Sequence, residues 1–269
     1  MDLIQSIILG IVQGITEFLP ISSTAHLVLI PWLFSWNDKG LPFNVALHIG
    51  SLFAILVYFY NDWKRIIPQF LKSLFSGSFK GNQDGMLGLF IVIGTIPGII
   101  SGFVFESYSA GILRNPVSIA AALALFAIFL FIADRRTKNL KGIKDMDLTD
   151  CLFFGIAQAF AVIPGVSRSG AAITGGLFRN FKRDEAARFS FLLAAPLITG
   201  AGVLESRHIP IDTMITAPFL LGILSSAVTA FFVIKFLFRF LQKQSYKAFV
   251  IYRIVLAAVI VILSLKHFI

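Results

Sequence analysis

Within ten residues the chain places a carboxylate, three hydroxyls and an imidazole: Glu17-Phe-Leu-Pro-Ile-Ser-Ser-Thr-Ala-His26. The flanking sequence is strongly apolar, and a polar group in hydrocarbon is costly unless it is paired. Glu17 can bind a cation or accept a proton; its plainer role is a carboxylate reaching for the membrane surface. Ser22, Ser23 and Thr24 offer hydroxyls to a ligand, and each also suits the capping of a broken helix. His26 can act near neutral pH as a general acid or accept a phosphoryl group, although a lone histidine is more often bonded to a carbonyl in a core. A second cluster, Ile163-Pro-Gly-Val-Ser-Arg-Ser-Gly170, contains Arg168. A guanidinium at membrane depth needs an anionic partner. Ser167 and Ser169 add donors, and the glycines, Gly170 among them, let backbone amides approach a ligand. A short helix starting near Gly170 would aim its positive end at the same place. This is an oxyanion-binding set that suits phosphate. An internal ion pair with Glu17 is the competing role, and an empty site permits both.

What must position these residues is a membrane-embedded fold. Of 269 residues, 57% are hydrophobic and 14% charged, with 29 Phe and a mean hydropathy of +0.85. That composition predicts a polytopic membrane protein in a single domain spanning residues 1–269. The one cysteine, Cys151, excludes an internal disulfide framework. A net charge of +9 would suit nucleic acid, but the basic residues fall in short loops between apolar runs, so no nucleic acid partner is expected. No Lys or Arg precedes Lys39, unlike a signal peptide. No nucleotide-binding glycine loop and no His-Glu-x-x-His motif occurs.

A spanning helix needs about 20 mostly apolar residues. Six segments fit: 43–60, 86–106, 115–133, 189–206, 216–234 and 248–265. Residues 3–33 and 150–178 are apolar but interrupted by Gly, Pro and the polar clusters, so each reads as two short helices joined by a turn. Segments 61–85, 134–148, 179–188 and 235–247 carry 17 of the 23 Lys and Arg, and the positive-inside rule puts all four in the cytoplasm. The outer connections hold one each: Lys39, Arg114, Arg207 and Lys266. Residues 150–178 must then enter and leave on the cytoplasmic side. If residues 3–33 do the same from outside, both termini lie outside. An all-α fold follows, with six spanning helices and two re-entrant helical hairpins in an inverted repeat, its halves near 1–133 and 147–267. Gly10-Ile-Val-Gln13 aligns with Gly155-Ile-Ala-Gln158. After a one-residue gap, Pro20-Ile-Ser-Ser23 aligns with Pro164-Gly-Val-Ser167. Gln13 and Gln158 would bond hairpin to hairpin. Asn44 and His48 open the first full span and can line the site. Arg253, near a helix end, is expected to snorkel to the surface.

Taken together, Glu17-Phe-Leu-Pro-Ile-Ser-Ser-Thr-Ala-His26 and Pro164-Gly-Val-Ser-Arg-Ser-Gly170 resemble the motifs of the undecaprenyl-diphosphate phosphatases, integral membrane proteins also called bacitracin-resistance proteins. The resemblance covers essentially the whole chain. It implies hydrolysis of undecaprenyl diphosphate to the monophosphate and inorganic phosphate, in the cytoplasmic membrane, with a divalent cation, Mg or Ca. Glu17, Ser23, His26 and Arg168 match the family's required positions; Ser22, Thr24, Ser167 and Ser169 match its hydroxyls. Departures are Gln13 where many members carry a second glutamate, Ala25 for a common glycine, and Asn44 for a common acid.

The expected site therefore lies where the two hairpins meet. Arg168 and local amides bind phosphate, and Glu17 holds the cation or acts as base. Ser23, His26 or a water activated by His26 attacks phosphorus. The isoprenoid tail of the polyprenyl diphosphate lies in the bilayer. A polyprenyl-phosphate flippase or transporter is the alternative reading, since inverted repeats also serve transport, and a homodimer is kept among the expected assemblies.

Overall fold

Asp2 starts the first helix by accepting a hydrogen bond from the Ile4 amide at 3.0 Å, and Pro20, which has no N–H to donate, follows its end. The structure, a computed structural model, describes residues 2–37, 40–110, 113, 115–207 and 211–267. Lys39, Arg114 and His208 lie outside the described residues, as does the side chain of Lys266. Among the described residues the regular structure is helical apart from an isolated bridge between Lys141 and Phe181. The helices are α1 (Leu3–Phe18), α2 (Ser23–Leu33), α3 (Gly40–Tyr58), α4 (Tyr60–Ser76), α5 (Gln83–Ala110) and α6 (Pro116–Arg136). They continue with α7 (Leu148–Ala159), α8 (Arg168–Phe178), α9 (Arg183–Ser206), α10 (Ile211–Met214), α11 (Ala217–Leu241) and α12 (Lys247–His267).

Five of these helices (α5, α6, α9, α11 and α12) are long and apolar enough to cross a membrane. The expected span 43–60 falls on α3. α3 ends at Tyr58, and the chain turns by 83° into α4, so the two make a sixth span only when counted as one bent pair. Residues 60–76, expected as part of a basic loop, are helical, with Asp62 buried and Lys64, Arg65 and Lys72 on the surface. The protein is a polytopic helical membrane protein.

The four short helices do something else. Eleven residues rise only about 16 Å, roughly half of the hydrocarbon core, so neither α2 nor α8 crosses alone. α1–α2 and α7–α8 are built alike. Asp2 and Asp147 cap the first helices, and Ser22 and Ser167 cap the second. Both cap pairs are 145 residues apart, which relates the two pairs without the gap that the sequence alignment needed. Ser22 and Ser167 share an unusual backbone, with φ of 74° and 72°, in the region that L residues avoid.

Packing repeats too. α1 lies chiefly on α11, and α7 lies on α5. At both crossings a glycine is required: a Cβ on Gly10 would collide with the Gly222 carbonyl, and one on Gly155 with that of Gly94. Small residues at helix crossings let backbones approach, which drives association where no hydrophobic force acts between helices in lipid. Beneath the first turn, Phe18 is 1% exposed and stands edge-on to Phe191 at 4.9 Å, which pins the end of α1 and with it Glu17.

Candidate active site

Glu17, in the last turn of α1, is where the two short-helix pairs meet. α2 and α8 both begin beside it. Ser23, the first residue of α2, donates from Oγ to Glu17 Oε2 at 2.7 Å. Arg168, the first residue of α8, donates from Nη2 to Glu17 Oε1. Ser169 Oγ donates to the Glu17 backbone carbonyl at 2.9 Å. Gln13 Nε2 donates to Oε2 at 3.0 Å, and His48 Nε2 stands 3.4 Å from the same oxygen. The carboxylate thus accepts from three side chains, Gln13, Ser23 and Arg168. It is 5% exposed, while Arg168 is 18% exposed and retains a route out.

The helix starts explain why these groups converge. Ser22 Oγ accepts from the Ala25 amide and Ser167 Oγ from the Gly170 amide, each three residues on, which satisfies one orphan donor per helix. Both helix N-termini then aim their partial positive charge toward Glu17. With Arg168 added, positive charge exceeds negative, which suits an incoming anion.

His26 lies one turn into α2. Its Nδ1 is 2.7 Å from the Ser22 carbonyl oxygen and its Nε2 is 2.6 Å from Tyr252 Oη. No ion pair to His26 is found among the described residues. His48 is held differently: Nδ1 is 2.7 Å from the Asn44 carbonyl oxygen, so Asn44 serves through its backbone. Thr24 is exposed on the first turn of α2, and Ser167 Oγ also lies 3.3 Å from Ser169 Oγ.

Two expectations fail. Gln13 and Gln158 do not bond to each other. Gln13 reaches Glu17 and, at 3.3 Å, Ser51 Oγ, whereas Gln158 Nε2 bonds the Gly94 carbonyl at 2.9 Å. Their common place in each pair puts them on opposite partners, α3 and α5, rather than face to face. Arg253 does not snorkel. It sits more than a turn inside α12 and is 0% exposed. Its Nε donates to Leu123 O at 3.1 Å, Nη1 to Pro20 O at 3.2 Å, and Nη2 to Gly165 O and Val166 O at 3.1 and 3.0 Å. One guanidinium therefore ties the turn after α1 to the turn before α8 and both to α6. Gly170 leaves room for it, since a Cβ there would come 3.0 Å from Arg253 Nη1.

Sequence reading also missed Ser51, Ser226 and Tyr252. Ser51 Oγ lies 3.1 Å from Ser226 Oγ, which donates to Leu47 O at 2.7 Å, so the polar network around Glu17 continues through α3 to α11. Single hydroxyls inside long apolar runs gave no signal. Arg253 did give one: apart from Arg168, it was the only basic residue outside the loops and outer connections.

A family model described as "Bacitracin resistance protein BacA" matches residues 6–259. Among curated proteins, the chain is 46% identical to the "Undecaprenyl-diphosphatase" of Moorella thermoacetica, covering 97% of each chain. It is 43% identical to that of Elusimicrobium minutum, covering 98% of this chain and 99% of the relative, and 44% identical to that of Thermodesulfovibrio yellowstonii, covering 97% of each. A match that takes in both short-helix pairs and the helices that hold them places the chain in the bacitracin resistance protein BacA family.

Proposed function

We propose that this chain is a membrane phosphatase that hydrolyses undecaprenyl diphosphate to undecaprenyl phosphate and inorganic phosphate, which recycles the lipid carrier of cell-wall polymers. The observation that carries this reading is the meeting of Glu17, Ser23 and Arg168 at two helix N-termini, in a chain whose full-length relatives are named for that activity. Without substrate, Arg168 and Glu17 neutralise each other. A diphosphate draws the guanidinium away, because its planar fork matches two phosphate oxygens. Glu17 is then free to act as a base, and Ser23 Oγ already donates to it, the arrangement an activated nucleophile requires. Ser23 Oγ attacks the terminal phosphorus and its proton passes to Glu17. The bond from that phosphorus to the bridging oxygen breaks, and undecaprenyl phosphate leaves. Arg168 and the first-turn amides of α2 and α8, with Ser22, Thr24, Ser167, Ser169 and Gly170 around them, stabilise charge on the equatorial oxygens. Water activated by His26 then frees phosphate from Ser23.

A divalent cation, Mg or Ca, belongs to the proposal. Among the described residues Gln13 Oε1 is buried with no hydrogen-bond partner, on the side chain that already bonds Glu17, so Glu17 and this amide oxygen would hold the ion. Bound there, it would neutralise phosphoryl oxygens, with further ligands from the diphosphate.

The fold reading goes further as well. We infer that α1–α2 and α7–α8 are re-entrant, related by an inverted repeat, with the basic segments cytoplasmic and both termini outside. Matched caps and matched glycine crossings support the repeat. The hydrogen bonds from Lys141 N to Asn180 O and from Lys182 N to Lys141 O support the re-entry of α7–α8, since they join the segment before α7 to the segment after α8.

The test is phosphate release from undecaprenyl diphosphate by pure protein in liposomes, with Mg or Ca and after chelation. Release should need the cation, and Arg168→Ala should lower kcat about 10²- to 10³-fold in protein that still folds and melts cooperatively. Normal hydrolysis by a folded Arg168→Ala protein defeats the assignment. Lipid translocation without phosphate release would point to a transporter.

A further inference from the structure

His26 has two ring nitrogens, and the structure gives each a different partner. Nδ1 faces the Ser22 carbonyl at 2.7 Å. A carbonyl only accepts, so Nδ1 carries the proton. In the neutral ring Nε2 then holds the lone pair, and the group at 2.6 Å from it is the Tyr252 hydroxyl, which must donate. The rings also lie nearly parallel, 10° apart with centroids at 5.7 Å. Second partners of this kind decide which histidine nitrogen is available for chemistry.

Tyr252 comes from α12, 226 residues away in sequence. It is the neighbour of Arg253, whose four hydrogen bonds to Leu123, Pro20, Gly165 and Val166 hold α12 against both turns of the site. The backbone that presents Tyr252 is therefore fixed, while the tyrosine itself is 43% exposed on the surface of α12 and His26 is 7% exposed. A fixed Cα with a partly free side chain is what a removable partner needs.

We propose that Tyr252 is a positioning residue for His26: its phenol completes the Nδ1–H tautomer that the Ser22 carbonyl sets, aims Nε2, and masks that lone pair until a phosphate-bearing ligand takes the phenol's hydrogen bond. For the reaction this rests on the phosphatase reading; for the imidazole it does not. The unmasked Nε2 is the atom that would take the proton of the water attacking phosphoserine 23, and the released phenol O–H would donate to a phosphate oxygen. No bond to carbon or phosphorus is made by tyrosine.

Tyr252→Phe keeps the stacked ring and removes only the hydroxyl. The protein, in lipid nanodiscs, is treated with diethyl pyrocarbonate, which acylates unprotonated imidazole nitrogen, and modification is measured by peptide mass spectrometry with His48 as internal reference. Loss of one hydrogen bond to Nε2 should raise the rate at His26 about 3- to 10-fold and leave His48 unchanged. Equal rates at His26 in the two proteins overturn the proposal. In phosphate-release assays the same variant should lose kcat about 10-fold, as expected for a group acting through a general base, with KM within about twofold and an unchanged melting temperature. A wild-type kcat overturns it too. If the wild-type protein releases no phosphate, the activity reading falls and the acylation comparison still decides the role of Tyr252.

Discussion

Arg168 and Arg253 are both guanidiniums at membrane depth, and they do different work because their partners differ. Arg168 faces a carboxylate and keeps a route out, and in the proposed function it exchanges that carboxylate for a phosphate. Arg253 bonds four backbone carbonyls in a closed core and has nothing to exchange. Those carbonyls belong largely to turns where two helices break, and each buried acceptor left unpaired costs about 1–3 kcal/mol. Arg253→Met should therefore lower the melting temperature in detergent by several degrees and abolish phosphate release. Arg253→Lys should fall between, since an ammonium keeps the charge but not the planar fork. A methionine variant with wild-type melting and turnover would show the clamp to be idle. Glu17, Ser23, His26 and Arg168 were legible in the sequence because polar groups among apolar ones stand out. The purpose of Arg253 was not, because a lone cation near the start of an apolar run reads equally as a snorkelling one, and only the fold brings Pro20, Leu123 and Gly165 to it.

At the scale of elements, the two short pairs were readable from their Gly, Pro and Ser breaks, while α4 was not. Its charged residues match a basic loop in composition, and only their distribution around a helix separates the two. The alignment that suggested a repeat needed a gap, since identity at Pro20 and Pro164 attracted it, whereas the serine caps Ser22 and Ser167 of the two pairs match without one. The glycine crossings carry a prediction. Gly10 meets Gly222 and Gly155 meets Gly94 in the same way, so Gly10→Val and Gly155→Val should each force the helices apart. Overpacking in a tight core costs about 1–3 kcal/mol, occasionally more, and a clash with backbone has no side chain to give way. Both variants should lower the melting temperature and the folded yield. Gly102→Ala, where nothing among the described residues lies within 4 Å, is the control and should do neither. If Gly10→Val melts like wild type, the crossing is looser than it stands here.

Over the whole molecule, what decides the arrangement is which side each segment faces. On the basic side, five cations are paired with buried acids: Lys141 and Arg179 with Asp150, Arg183 with Asp134, and Arg65 and Arg188 with Asp62. The pairs at Asp150 tie the start of α7 to the end of α8, as the proposed re-entry requires. The expectation can be checked in cells. Cys151 is buried, and a Cys151→Ser background leaves no other thiol. Single cysteines are then placed at exposed positions: Ser78→Cys, Lys144→Cys, Lys182→Cys and Lys243→Cys on the basic side, Ser35→Cys and Arg207→Cys on the other. A membrane-impermeant maleimide should label Ser35→Cys and Arg207→Cys in intact cells and the other four only after permeabilisation. The informative comparison is Lys144→Cys with Lys182→Cys, which bracket α7–α8. Labelling of both from the same side is required by re-entry. Labelling from opposite sides would make the pair a spanning segment, invert everything after it, and remove the inverted repeat along with the opposed approach of α2 and α8 to Glu17.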